Sequence, residues 1–539
     1  MPRPATLPVD RIEEFWLGLR FVTGVFPFLR HPVSDRSAAD EVQGRLKNRE
    51  RLFLECLRDR VYSNPGHPYY KLIKHAGCEE GDLQNLVRRQ GLEPALYELF
   101  RNGVYLTVDE FKGRTAVVRN NLSFFISPSH FEKRAVRARL GIQTSSSRSR
   151  DGLVPVDFDY IRSRTINLRL DLEARGGWDW QHAVWGIPGG SALVHLLEYG
   201  GAGARMVRWF SHVDPCGPEL AARYGWSARA LRWASLLAGR PLPQLQLATV
   251  EDTSPVLNWI VDVLRKGGTP HLLTYTSPAV RLCQEATRSG IDFSGLQLTL
   301  TGEPITALRL EAIRRTGACP IPRYGCTESG SIGYGCLHPE APDEVHFLSD
   351  RLALVQAKEG SPSPTGSLLV TTLLPVSPFF LLNVSLGDWA VVTGRPCGCP
   401  LQDYGWTVHI QHIRSFEKLT VGGMTFLHTD ISRIMDDLLP RQFGGEPTHY
   451  QLVEEEGPDG RPRLRLLIHP RVGEVDVHAV REAFLKAISQ GHGVERVMGT
   501  VWRQARVLEV ERRVPLATAS GKIGHVLNVD AAKRNKSHA

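Results

Sequence analysis

Five consecutive residues, Tyr324-Gly325-Cys326-Thr327-Glu328, bring a ring, a glycine, a thiol, a hydroxyl and a carboxylate to the end of an apolar run. That set suits a nucleotide site. The ring can stack on a base, and the glycine lets backbone approach a reacting acyl group. Thr327 can hydrogen-bond a phosphate oxygen, and Glu328 can hold a magnesium ion bridging phosphates. Cys326 would line the pocket, since no adjacent base is evident to make it a nucleophile. A polar turn after a buried strand would use the same residues, so the weight falls on their surroundings.

Two upstream stretches add binding chemistry. In residues 141–157 the hydroxyls of Ser145, Ser146 and Ser147 precede Arg148 and Arg150. Such a loop can wrap a triphosphate through hydroxyls, backbone N–H groups and guanidinium, and a plain surface loop has the same composition. In residues 183–207 Trp185-Gly186 precedes a glycine pair that enters a helix. Glycines at a strand–helix turn admit a ligand close to backbone. Trp185 would line a pocket for a flat substrate or pack in the core. The GxGxxG dinucleotide spacing is absent.

The elements that must position these groups follow from periodicity. Residues 269–330 run strand (271–275), helix (277–288), strand (296–301), helix (306–315), strand (320–324), which predicts a largely parallel sheet covered by helices. Gly302-Glu303-Pro304 and the pentapeptide then share the carboxyl edge, where open α/β sheets bind ligands. Upstream, residues 9–87 read as amphipathic helix with Phe53, Leu57 and Val61 on one face, and a helix near Thr107 or Asp109 follows. Residues 1–125 form a helical cover. After residue 344 the pattern turns β-like, and from 414 onward a smaller α+β unit begins. The expected division is 1–413 and 414–539, through a linker at 401–418.

Composition bounds the rest. A chain of 539 residues with 42% hydrophobic and 23% charged content can build two globular domains. No apolar run is long enough to span a bilayer, and residues 1–6 lack a signal-peptide pattern, so the expected location is the cytoplasm. The net charge of +8 is interleaved with acidic residues, which fits a solvated surface or a small polyphosphate better than nucleic acid. The nine cysteines form no secreted disulfide pattern.

Gly302-Glu303-Pro304, Tyr324 to Glu328, Gly387-Asp388, Arg414 with Gly423, and Ser520-Gly521-Lys522 occur in an order and spacing that resemble the adenylate-forming superfamily. The resemblance runs from about residue 50 onward and looks closest to the phenylacetate–CoA ligase-like branch. It implies a large α/β domain with a smaller mobile α+β lid. Gly302, Glu303, Pro304 and Tyr324 would flank adenine, Thr327 would touch the α-phosphate, and Glu328 would hold magnesium. Asp388 would bind the ribose with Arg414 nearby, and Lys522 would bridge substrate carboxylate and α-phosphate. Two anions meet in that step, so a metal and a lysine must spread the charge. Cys336, His346, Cys397 and Cys399 resemble the branch's zinc site, with His338 as a rival ligand.

The implied activity is ATP-dependent conversion of a carboxylic acid, aromatic by the habit of the branch, to acyl-AMP. A thiol (CoA or a carrier) or an amine then accepts the acyl group. No nucleic acid or membrane partner is implied, and a homodimer is allowed. The sequence also departs from the family: residues 144–150 lose the phosphate loop's glycines, Asn383-Val384-Ser385-Leu386 replaces its arginine and tyrosine, and Phe416 stands at the hinge. The alternative is a catalytically weakened homologue acting as a binding or scaffold protein.

Overall fold

The computed structural model describes residues 23–132, 140–143, 153–214, 222–415, 418–488 with short breaks, 502, 507–516 and 525–528. One sheet of twelve strands organises the chain. Strands β1 (Gln181–Gly186), β2 (Arg205–Ser211), β3 (Leu245–Leu247), β4 (Pro270–Tyr275), β5 (Gln297–Thr301) and β6 (Cys319–Cys326) lie in the order 3-2-1-4-5-6, all parallel. That order reverses direction between β1 and β4, the switch point at which open α/β sheets bind ligands. The expected strand–helix cycle over 269–330 is observed to within about two residues at each boundary.

From β6 the sheet continues antiparallel. β6 turns into β7 (Gly330–Gly335), followed by β8 (Val345–Phe347), β9 (Leu352–Gln356), β10 (Ser367–Thr372), β11 (Val384–Gly394) and β12 (Val408–Ser415). β11 and β12 pair directly, setting Asp388 opposite Ser415 and Trp389 opposite Arg414. Strands buried on both faces, such as Leu368 to Thr372, read as continuous apolar runs because both sides are covered.

The helical cover is present, and Phe53, Leu57 and Val61 are all at most 1% exposed. Its last helix, α1 (Val108–Phe111), is capped by Thr107: Oγ1 accepts from Glu110 N, and the Glu110 carboxylate accepts from Thr107 N. Leu106 docks this helix on β11, donating its N–H to Asn383 O and accepting from Ser385 N. Asn383 takes the left-handed conformation (φ 48°), and its amide donates to the carbonyls of Leu96 and Val104. The departure at Asn383 therefore serves to anchor the cover.

Helices α2 (Phe158–Ala174), α3 (Gly190–Gly201), α4 (Thr276–Arg288) and α5 (Ala307–Arg314) pack on the parallel half. A smaller four-stranded sheet follows, with β13 (Tyr450–Glu456), β14 (Pro462–Ile468), β15 (Leu508–Arg512) and β16 (Val526–Asn528) in the order 15-14-13-16. With α6 (Val477–Ile488) it closes its own apolar cluster around Met435, Phe484 and Trp502. The fold is thus α/β with a large sheet under helices and a smaller C-terminal sheet unit. No helix among the described residues is long and apolar enough to cross a membrane.

Candidate active site

The pentapeptide closes β6 and opens the tight connection to β7. Gly325 pairs with Ser331 and Cys326 with Gly330 across that hairpin, and a Cβ on Gly325 would lie 2.6 Å from Gly330 O, so no side chain fits. Side chains alternate along β6. Arg323 points into the interior, where it and Arg164 pair with the fully buried Glu198. Tyr324 points the other way, and its hydroxyl donates to Asp388 Oδ2 at 2.8 Å. Ser415 Oγ donates to Asp388 Oδ1 at 2.5 Å. Burial and the Asp388 charge raise the Tyr324 phenol well above its ordinary value, which keeps it a donor.

Asp388 is thus joined to the pentapeptide by one hydrogen bond. Thr327 and Glu328 stand at half-buried positions just beyond it, and Cys326 Sγ lies 3.1 Å from Ser329 Oγ. Glu328 pairs with Lys112, a residue absent from the sequence reading. A carboxylate is the donor type magnesium uses beside phosphates, namely one or two carboxylates completed by phosphates and water.

On the parallel edge Gly302 adopts φ 75°, and a Cβ there would come within 2.7 Å of the Tyr275 ring. Glu303 accepts from Ser277 N at 2.9 Å, so its charge sits at the N-terminus of α4, where the helix dipole favours it. Arg309 donates to Pro304 O at 2.8 Å and holds the turn. Gly186 ends β1 with the Tyr275 ring beside it. Trp185 itself faces inward: it is 1% exposed, and its indole N–H donates to Ala248 O. Its ring packs edge-on against His212 at 5.2 Å, within a different apolar cluster from Tyr324.

Sequence reasoning missed His212 and Asp343 as well as Lys112. His212 is fully buried beside Gly186 and Tyr275, and neither ring nitrogen has a hydrogen-bond partner among the described residues. Asp343 accepts from His412 N, Ile413 N and Arg414 Nη1, each at 2.8 Å. Arg414 is therefore tied to Asp343, one position from the Asp388–Ser415 pair. Only a strand register would have revealed that. Ser145, Ser146, Ser147, Phe416, Gly423 and Lys522 lie outside the described residues.

A second constellation lies at the far end of β7 and β8. Cys336, His346, Cys397 and Cys399 each offer one donor atom, all within 4.8 Å of one another. His346 Nδ1 faces Trp406 O at 2.6 Å, which makes it the protonated nitrogen and leaves Nε2 toward Cys399 Sγ at 3.0 Å. The hydrogen bond from Cys336 holds the Cys399 thiol far below its usual range. Three sulfurs, one of them ready as thiolate, and an oriented imidazole fit tetrahedral zinc. The rival His338 instead bonds Cys397 O through Nδ1.

No protein-family model matches the chain, and no curated protein matches it. Solved structures are similar at low identity. A 2-hydroxyisobutyryl-CoA ligase with a bound acyl-AMP is 14% identical, with 94% of this chain and 93% of that one covered and a TM-score of 0.42. The amide bond synthetase McbA of Marinactinospora thermotolerans is 13% identical over 92% of this chain and 94% of that one, with a TM-score of 0.38. The o-succinylbenzoate CoA synthetase of Bacillus subtilis is 11% identical over 68% and 92%, with a TM-score of 0.34. At these values the likeness carries no argument about chemistry.

Proposed function

We propose that this protein is an ATP-dependent ligase that activates a carboxylic acid as acyl-AMP and passes the acyl group to a thiol, CoA or a carrier, or to an amine. The observation that supports it most directly is the Tyr324–Asp388 hydrogen bond. It brings the Asp388 carboxylate of β11 to the Tyr324 ring of β6, the strand that leads to Thr327 and Glu328 and lies next to β5, which ends at Gly302 to Pro304.

In this reading the acid's carboxylate oxygen attacks the α-phosphorus of ATP, the α–β bridging bond breaks, and pyrophosphate leaves with its electron pair. Asp388 accepts from the ribose hydroxyls, and Thr327 donates to an α-phosphate oxygen. Gly302 to Pro304 and Tyr324 bracket the base. Glu328 would hold magnesium, which neutralises phosphate charge when bound. Lys522, carried by the small unit of residues 414–539, would reach the reacting oxygens for this step and leave afterwards. An aromatic acid is the proposed substrate, supported by the rings of Tyr275 and His212 around Gly186.

The test is acid-dependent pyrophosphate release from ATP across a panel of aryl and alkyl acids, wild type against Lys522→Ala. Release with at least one acid, reduced about 100-fold or more in the variant, supports the ligase. ATP binding without release for any acid supports the scaffold reading instead.

A further inference from the structure

The contact between Lys112 and Glu328 joins residues 216 positions apart in the chain. It is not a loose surface pair, for the two side chains are 11% and 15% exposed. Exposed ion pairs contribute little, and pairs withdrawn from water must offset a desolvation cost. The protein also fixes the lysine's approach. Phe111, the residue before it, is 3% exposed and packs on Phe131 and Phe379 at 5.1 and 5.9 Å. Glu110 is clamped by Arg119 through bonds of 2.7 and 3.0 Å. Leu106 registers the whole turn on β11, the strand that carries Asp388. Lys112 is delivered to Glu328 by an element keyed to the opposite wall of the same site.

An ammonium and a divalent ion compete for one carboxylate, because each lowers the field that attracts the other. We propose that Lys112 is the resident counter-cation of Glu328: it neutralises the carboxylate before nucleotide arrives, yields it to magnesium entering with ATP, and then lies against the phosphates. The inference rests on the ligase reading for the identity of the nucleotide. A lysine suits this exchange, as a point charge on a flexible stem can shift by several ångströms without breaking a fixed fork.

The experiment compares the full-length wild type with Lys112→Met, Lys112→Gln and the double variant Lys112→Met/Glu328→Gln. Manganese(II) binding to nucleotide-free protein is read by electron paramagnetic resonance, and metal-free binding of α,β-methylene-ATP by calorimetry. Both single variants are expected to bind manganese about three- to tenfold more tightly and the analogue about three- to tenfold more weakly. The double variant should lose the manganese gain. A lysine with a merely structural role would not raise metal affinity when removed, and melting curves identify which variant is folded. Unchanged or weaker manganese binding in the folded variants overturns the proposal, even if pyrophosphate release is normal. A manganese gain in a protein that releases no pyrophosphate with any acid sinks the ligase reading alone.

Discussion

Tyr324 and Asp388 meet across the sheet, one at the end of the last parallel strand and the other in the antiparallel half. Ser415, which follows Arg414 at the end of β12, bonds the other carboxylate oxygen. One acidic side chain thus links the pentapeptide to the last residue of the large sheet, next to the expected hinge. Each oxygen of Asp388 keeps an acceptor site beyond these two bonds, which a diol can take. Asp388→Asn is expected to weaken ATP binding about tenfold or more, since an amide cannot accept on both of its polar atoms. Tyr324→Phe, which keeps the ring, should change affinity no more than about fivefold. Calorimetric titration with ATP separates the two.

The second prediction concerns Arg309 on α5, which reaches from the Pro304 turn to the small sheet. Its guanidinium contacts Pro304 O, Gly460 O and the Glu456 carboxylate at 2.8, 3.1 and 3.0 Å, and Thr306 donates to the same carboxylate at 2.5 Å. Gln284 on α4 adds a bond to Asp459 O. Arg309 is 5% exposed, so Arg309→Ala takes the cation from a carboxylate that keeps its Thr306 bond and leaves two carbonyls without this donor, at a cost of about 3–5 kcal/mol. Amide exchange in the turn between β13 and β14 should accelerate, while the β1–β4 core stays protected.

Much of this was legible in the sequence, and the boundary is physical. The parallel strands β4 to β6 were readable because apolar strands alternate with helices there and Gly302 and Gly325 mark turns that admit no side chain. Cys336, His346, Cys397 and Cys399 could be grouped only through their resemblance to a family zinc site, since 19 histidines and nine cysteines leave many other sets open. Lys112, Asp343 and Arg309 were not legible. They act through partners 216, 71 and 147 or more positions away, on register that periodicity does not specify. Trp185 was ambiguous for the opposite reason: the type suits a pocket or a core, and only its inward bond to Ala248 O decides the placement.

Stability should fall with acid, and the sign follows from three buried histidines. His182 and His212 are each lowered to about 3 by burial, and His271 is lowered well below its ordinary 6.5 by burial and then by His182. They are neutral in the native state and gain protons on unfolding below pH 6.5. Their contribution is full above that value and is lost as pH falls toward about 3, by up to about 1.4 kcal/mol per pH unit for each ring. Urea midpoints taken between about pH 7.5 and about pH 5 should drop steadily. His212→Phe, which removes one titrating ring, should flatten the slope.

The last prediction is a metal. His346 is the pivot of the sulfur cluster, since its Nδ1 bond to Trp406 O aims Nε2 at Cys399 and Cys397, at 3.0 and 3.6 Å. Glu344, fully buried beside it, is held below the ordinary carboxylate range: burial alone would raise it, and the Glu340 N–H and Arg395 outweigh that. Arg395 pairs with this carboxylate and His409 Nδ1 lies 2.6 Å from it, so the wall behind the sulfurs is already fixed in position. A zinc ion here would tie β7 and β8 to the segment that leads into β12, and so to the Asp343–Arg414 and Ser415–Asp388 contacts. Purified protein is expected to carry about one zinc per chain, and Cys397→Ser to lose most of it. Chelation should lower the melting temperature of the wild type and leave that of Cys397→Ser nearly unchanged. ATP affinity should fall with the metal, because the strand that presents Ser415 loses its anchor. Metal-free protein with an unaltered melt would instead leave the four residues as a hydrogen-bonded thiol–imidazole group that packs α2 against β7.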